Sequence, residues 1–97
     1  MNSKEWFRLW QEELLEVVTT FDVSKFREFY KKWQARGYYV ENLPADDRVV
    51  DIIIHKIAYH LNNTPPEKKE QAERWLLERG LSTDLGVKKW LLEFWYL

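Results

Sequence analysis

The residues best suited to chemistry in this chain are one aspartate and two histidines within an apolar run. The run is VVDIIIHKIAYHL, residues 49–61, and it contains Asp51, His55 and His60. A carboxylate four residues before an imidazole on a helix can orient the ring as a general base, or can supply half of a metal site. At 100° per residue, His55 and His60 point about 140° apart, so one metal ion cannot bind both from this helix.

Structural roles compete with that chemistry at both histidines. Asp51 and His55 lie opposite the apolar half of the predicted helix, which indicates a solvent-facing charged pair. His60 falls at the edge of the apolar half, near the helix C-terminus, where the helix dipole favours a charged imidazole. No nearby serine, cysteine or glycine-rich loop completes a catalytic set. We therefore predict that the protein is not an enzyme and holds no metal and no cofactor.

A basic segment with interleaved aromatic residues lies upstream of this run. It reads SKFREFYKKWQARG, residues 24–37, and carries five basic residues against Glu28 alone, in a chain whose net charge is −1. Three interpretations are open: a solvated outer helix face, a positive surface for an acidic protein, or a phosphate-binding surface with tyrosines that stack on bases. The residues of this candidate basic face are Lys25, Arg27, Lys31, Lys32, Arg36, Tyr38 and Tyr39.

A second nucleic-acid possibility lies in ERWLLERGLSTDLGVKKWL, residues 73–91. Two helices joined at a glycine are typical of a helix-turn-helix. Here, however, Gly86 falls where a buried aliphatic residue is expected, and the second helix offers only Lys88 and Lys89 to DNA. Nucleic-acid binding is therefore the alternative function and not the leading one.

Apolar residues spaced three and four apart predict five short helices that position these groups. Their predicted ranges are residues 4–20, the segment between Asp22 and Gly37, residues 46–62, residues 65–79, and a last helix from Ser82 or Asp84 to residue 97. The predicted N-terminal caps are Ser3, then Asp22 or Ser24, and a capping box of Thr64, Pro65 and Glu67. Gly37 and Gly80 are predicted helix stops. The fourth helix has only a narrow apolar stripe, so we expect it at the periphery.

Composition narrows the class of protein further. Ninety-seven residues make one domain, residues 1–97, and the 45% hydrophobic and 32% charged fractions are those of a globular protein. The absence of cysteine excludes disulfides and thiolate metal sites. No apolar run approaches the ~20 residues that cross a bilayer, and MNSKEWFRLW lacks a signal-peptide pattern, so we expect a cytoplasmic protein without membrane contact. Six Trp, five Tyr and five Phe exceed what so small a core is expected to bury.

The C-terminal segment LGVKKWLLEFWYL, residues 85–97, concentrates that aromatic surplus. As a helix it is apolar on two opposite sides, so both sides must be covered. Either the other four helices enclose it, or a partner protein or second copy covers one side. For the second case the candidate partner-binding residues are Trp90, Leu92, Phe94, Trp95 and Tyr96.

Residues 43–82 also carry a resemblance. The stretches LPADDRVVDIIIHKIAYHL and EKKEQAERWLLERGLS resemble small helical proteins of unknown function encoded by bacteriophages and mobile elements. The resemblance implies a small accessory protein that binds and modulates a host or phage macromolecule, and it assigns a role to no individual residue.

Together these observations predict an all-α fold, a compact bundle of four to five short helices. The predicted function is a non-enzymatic protein–protein interaction module, an inhibitor or modulator that self-associates as a homodimer or binds another protein.

Overall fold

The computed structural model describes residues 2–84, which form four α-helices and no strand. The helices are α1 (Ser3–Val18), α2 (Val23–Ala35), α3 (Asp47–His60) and α4 (Pro66–Glu78). The predicted all-α class and four of the five predicted helices are confirmed. Residues 81–84 are not helical, and the remainder of the predicted fifth helix lies outside the described residues.

Short polar side chains start the first three helices. Asn2 Oδ1 accepts a hydrogen bond from the backbone N–H of Glu5 at 2.9 Å, so the cap of α1 is Asn2 and not the predicted Ser3. Asp22 caps α2, as predicted, and Asp46 caps α3 in the same way. Each cap satisfies a backbone donor that has no partner within its helix.

The predicted capping box at the start of α4 is wrong by one residue. Pro66 takes the first helical position, so the cap falls on Pro65, which has no side-chain acceptor. Thr64 therefore lies one residue too early to cap the helix. Its hydroxyl is buried and has no hydrogen-bond partner in the described part of the chain. The cause is the proline pair: the second proline fits the helix start, where its missing N–H is not needed.

The core lies between α1, α2 and α3, and α4 packs against α3 alone among these helices. The peripheral position predicted for α4 is therefore confirmed. Gly37 and Gly80 follow α2 and α4 with φ of 87° and 70°, the left-handed conformation predicted for a helix stop. The largest fully buried side chains are Trp10, Trp33, Phe26, Leu14, Ile54, Leu76, Val18 and Val50.

Candidate functional site

His55 is buried, and the predicted solvent-facing pair with Asp51 is wrong. Only 3% of His55 is exposed. The Phe21 ring stacks on one side of the imidazole at a centroid distance of 4.6 Å, and the Trp75 ring stacks on another at 3.8 Å. The polar strip of α3 is covered because α4 and the turn after α1 both pack onto it. A helical wheel of α3 alone cannot show which other elements pack against its polar strip.

The hydrogen bonding of His55 places a proton on Nδ1. Its Nδ1 lies 2.7 Å from the backbone carbonyl oxygen of Asp51, which is an acceptor, so we assign the proton to Nδ1. The carboxylate Oδ1 of Asp51 is 3.2 Å from the same nitrogen. Burial lowers the pKa of His55, and the nearby charge of Arg79 adds to that effect, while the hydrogen bond and the charge of Asp51 oppose it.

The imidazole is the middle layer of a longer stack. Lys68 Nζ lies 5.6 Å from the Phe21 ring centroid, and the Arg79 guanidinium lies 3.9 Å from the Trp75 ring centroid. We call these five residues, Lys68, Phe21, His55, Trp75 and Arg79, the His55 stack. It joins α3 to α4 and to the turn after α1, so its evident role is to hold the helices together.

Phe21 takes a strained backbone conformation to join this stack. Its φ is 54°, in the left-handed region that ordinarily costs a non-glycine residue roughly 1–2 kcal/mol. The strain is local, and ring stacking against a buried partner offsets part of it. This contact was not predicted, because nothing in the residue types around Phe21 indicates a positive φ.

The second histidine sits at the surface, and the described residues form no metal site around it. His60 is exposed, and its Nε2 donates a hydrogen bond to the Thr83 carbonyl oxygen at 2.6 Å. Within residues 2–84, no three His, Asp or Glu side chains lie close enough together to hold a metal ion.

Two residues of the predicted basic face are engaged inside the molecule. Arg27 donates from Nε to Asp47 Oδ1 at 2.9 Å, and from Nη2 to the Pro44 carbonyl oxygen at 2.8 Å. Lys32 forms an ion pair with Glu13 across the α1–α2 contact. These contacts tie α2 to its neighbours and pair each of the two cations with a carboxylate.

Lys25 and Lys32 also lie beside acidic groups. They line a groove of about 600 Å³ between α1 and α2, and three glutamates, Glu13, Glu16 and Glu28, line the same groove. The acidic residues outnumber the basic ones there, so the groove is not suited to a phosphate chain. Lys31, on the same helix, is exposed.

Of the two tyrosines that end the basic face, Tyr39 belongs to the core. Its hydroxyl accepts a hydrogen bond from Trp10 Nε1 at 2.8 Å, and its ring stacks on Tyr30 at 4.0 Å. Burial raises the pKa of Tyr39, and burial together with Glu41 raises the pKa of Tyr30 to about 12. The Tyr39 side chain is therefore inaccessible to a nucleic-acid base or to a partner protein. Tyr38 is half-buried, with its ring 4.9 Å from that of Trp33.

Arg36, the C-terminal cap residue that follows α2, has a different environment. Its guanidinium carbon lies 4.5 Å from the Trp6 ring centroid and 4.7 Å from that of Trp33. The two indoles meet edge to face, 5.8 Å apart. Trp33 is fully buried and Trp6 half-buried, whereas Arg36 is exposed. We call these three residues the Arg36 stack.

No carboxylate in the described residues pairs with Arg36. Sequence reasoning placed Arg36 on the basic face but missed its aromatic support. The usable signal was the spacing of three between Trp33 and Arg36, which puts both on one face of α2. The contribution of Trp6 depends on how α1 and α2 pack, which spacing along one helix does not reveal.

The candidate partner-binding residues Trp90, Leu92, Phe94, Trp95 and Tyr96 lie outside the described residues. Over residues 2–84, no helix has the length and apolar character needed to traverse a bilayer. In comparisons with known proteins, no family model, no curated protein and no solved structure matches this chain.

Proposed function

We propose that this protein is a small interaction module that acts by protein–protein contact and self-associates. One observation carries the proposal: six of the twelve aromatic residues between positions 2 and 84 remain partly exposed. The core is already occupied by the other six rings and by aliphatic side chains. Partly exposed tryptophan beside arginine, as at Trp6 with Arg36 and Trp75 with Arg79, is typical of binding hot spots. Four further aromatic residues follow between positions 85 and 97.

Contact with protein fits these observations better than contact with nucleic acid. A nucleic-acid surface needs several free cations along a track, with exposed rings on which bases stack. Here Arg27 and Lys32 are paired with carboxylates, Lys25 faces a groove rich in glutamate, and Tyr39 is buried. The nucleic-acid alternative thus loses four of the residues on which it was based.

The proposal has three further parts. The protein works in the cytoplasm, it carries out no catalytic step, and it inhibits or modulates a larger macromolecular complex. The last part, with its origin in a phage or mobile element, rests on the resemblance carried by residues 43–82.

Affinity capture tests this function. A tagged full chain, co-expressed with an untagged copy, is expected to retain either that copy or another protein in fixed proportion to itself. Trp95→Ala is expected to reduce the retained protein by about tenfold, as for a hot-spot tryptophan. Lys89→Ala, a change of a charged residue in the same segment, is the control and is expected to leave it unchanged. Retention of neither a copy nor a partner would refute the proposal.

A further inference from the structure

We infer that the Arg36 stack is a binding site for a carboxylate of an acidic protein segment. This inference rests on the proposed function, because it specifies the chemistry of the partner. Two other stacked cations, Arg79 and Lys68, belong to the His55 stack, which joins three parts of the fold. Arg36 is exposed and contacts the half-buried Trp6 of α1 and the fully buried Trp33 of α2.

Geometry leaves the guanidinium ready to bind an anion. Its carbon lies 4.5 and 4.7 Å from the centroids of two indoles whose ring planes are 83° apart, and the residue is exposed. A guanidinium has five N–H donors, and within the described residues those of Arg36 have no carboxylate partner. A carboxylate can accept from two parallel N–H groups of a guanidinium.

The stack also lowers the entropy lost on binding. A free arginine side chain has many rotamers, and binding must select one of them. Trp33 is fully buried and therefore fixed, and its ring holds the guanidinium together with Trp6. An arginine already held in place loses less freedom when the anion arrives.

Local charge favours an acidic partner. No acidic residue occurs between positions 29 and 40, while Lys31, Lys32 and Arg36 all fall in that segment. Lys32 Nζ lies 5.7 Å from the Trp33 ring centroid, but Glu13 pairs with Lys32 and also accepts a hydrogen bond from Trp33 Nε1 at 3.3 Å, so among the described residues Arg36 is the unpaired cation of the stack. A single guanidinium held by two indoles can bind a peptide segment that has a few carboxylates. An apolar side chain next to those carboxylates would pack on Trp6. A nucleic-acid backbone would need a longer row of unpaired cations.

Titration of the full chain with a defined probe tests the site. The probe is a synthetic peptide in which aspartate and glutamate flank a leucine, and its partner probe has asparagine and glutamine at those positions. The readout is the shift of the indole N–H signals of Trp6 and Trp33 in NMR spectra. We expect the acidic peptide to bind, and the neutral peptide to bind at least about tenfold more weakly.

Variants show whether Arg36 itself is responsible. Arg36→Gln is expected to weaken binding of the acidic peptide by about tenfold. Arg36→Lys is expected to weaken it by nearly as much, because lysine lacks the planar guanidinium with its parallel N–H donors. Lys31→Gln removes the same charge from an exposed position on α2, five residues before Arg36, and is expected to change binding by less than about threefold. Equal losses for Arg36→Gln and Lys31→Gln would overturn the inference, since they would indicate diffuse charge. Tighter Arg36-dependent binding of a single-stranded oligonucleotide would overturn it as well.

The inference and the proposed function can fail separately. If capture yields a protein whose retention is unaffected by Arg36→Gln, the inference fails and the proposed function stands. If the acidic peptide binds at Arg36 but capture yields neither a partner nor a second copy, the proposed function fails and the anion site stands.

Discussion

Trp10→Ala is expected to destabilise the fold by about 3–5 kcal/mol, the usual range for removing a fully buried aromatic side chain. Trp10 is 0% exposed and contacts the rings of Phe7, Tyr38 and Tyr39. Its indole N–H also donates to the Tyr39 hydroxyl, which is buried. The substitution leaves both a cavity and a buried hydroxyl that has lost its donor. Because domains have total stabilities of about 5–15 kcal/mol, this loss is a large fraction of the total, and the variant is expected to unfold at a clearly lower urea concentration.

Urea unfolding, followed by circular dichroism, measures this effect, and Trp6→Ala is its control. Trp6 lies one turn earlier on the same face of α1 but is only half-buried. Its loss removes the contacts with Trp33 and Arg36 and is expected to cost roughly 1–2 kcal/mol. Similar losses for the two variants would contradict the packing described here, in which Trp10 and not Trp6 belongs to the core.

Stability is also expected to fall as the pH drops below about 6.5, the ordinary pKa of histidine in an unfolded chain. The folded pKa of His55 is lower than that value, chiefly because the ring is buried. Between the two pKa values the unfolded state binds a proton that the folded state does not. The free energy of unfolding therefore decreases on acidification, by at most about 1.4 kcal/mol per pH unit from this one group. Below the folded pKa both states are protonated, and the contribution of His55 stops changing.

The groups around the imidazole set the size of this effect. Asp51 lies beside Nδ1 and favours the charged form, whereas Arg79, beyond Trp75, disfavours it. Lys68 lies on the far side of Phe21 and adds a second positive charge to the stack. A charged imidazole there would also be desolvated between two rings, and desolvation is the largest of these influences.

Urea midpoints measured between about pH 5 and about pH 7.5 isolate the contribution of His55. His55→Phe keeps a flat ring between Phe21 and Trp75 but cannot bind a proton, so the decrease attributable to this site is expected to vanish. His60→Gln is the control, because His60 is exposed. This variant is expected to show the same decrease in stability at low pH as the unmodified chain. If the decrease in stability persists in His55→Phe and disappears in His60→Gln, then His60 causes the effect and the prediction for His55 is contradicted.

The sequence predicted the helices well because each one carries its own local signals. Asp22 is a side-chain acceptor at a helix start, and Gly37 and Gly80 reach the left-handed conformation without strain. Such signals act within a few residues, so they can be recognised without knowledge of the rest of the fold. Where two neighbouring residues compete for one position, as at Asn2 and Ser3, the boundary shifts by a residue.

The candidate sites were harder to predict because they depend on contacts between elements. His55 was expected at the surface, since its strip of α3 is polar, yet a ring from the turn after α1 and another from α4 cover it. Arg36 was recognised as a basic residue, but its support comes partly from Trp6 on a different helix. Periodicity describes the faces of one helix and does not state which neighbour covers each face.

The two stacks serve different purposes in this account. The His55 stack lies between helices and stabilises their arrangement, so its cations flank rings that are already packed. The Arg36 stack lies at the surface, and its guanidinium retains donors for another molecule. The same residue types thus support the fold in one place and, in our proposal, recognition in the other.

The central claim of the proposal is that the protein self-associates through aromatic surface which its own fold leaves partly exposed between residues 2 and 84. Sedimentation equilibrium of the full chain, over about a hundredfold range of concentration, tests it most directly. The account predicts a mass that approaches twice 11.9 kDa at high concentration and falls towards one chain on dilution. A mass of one chain at every concentration would contradict it.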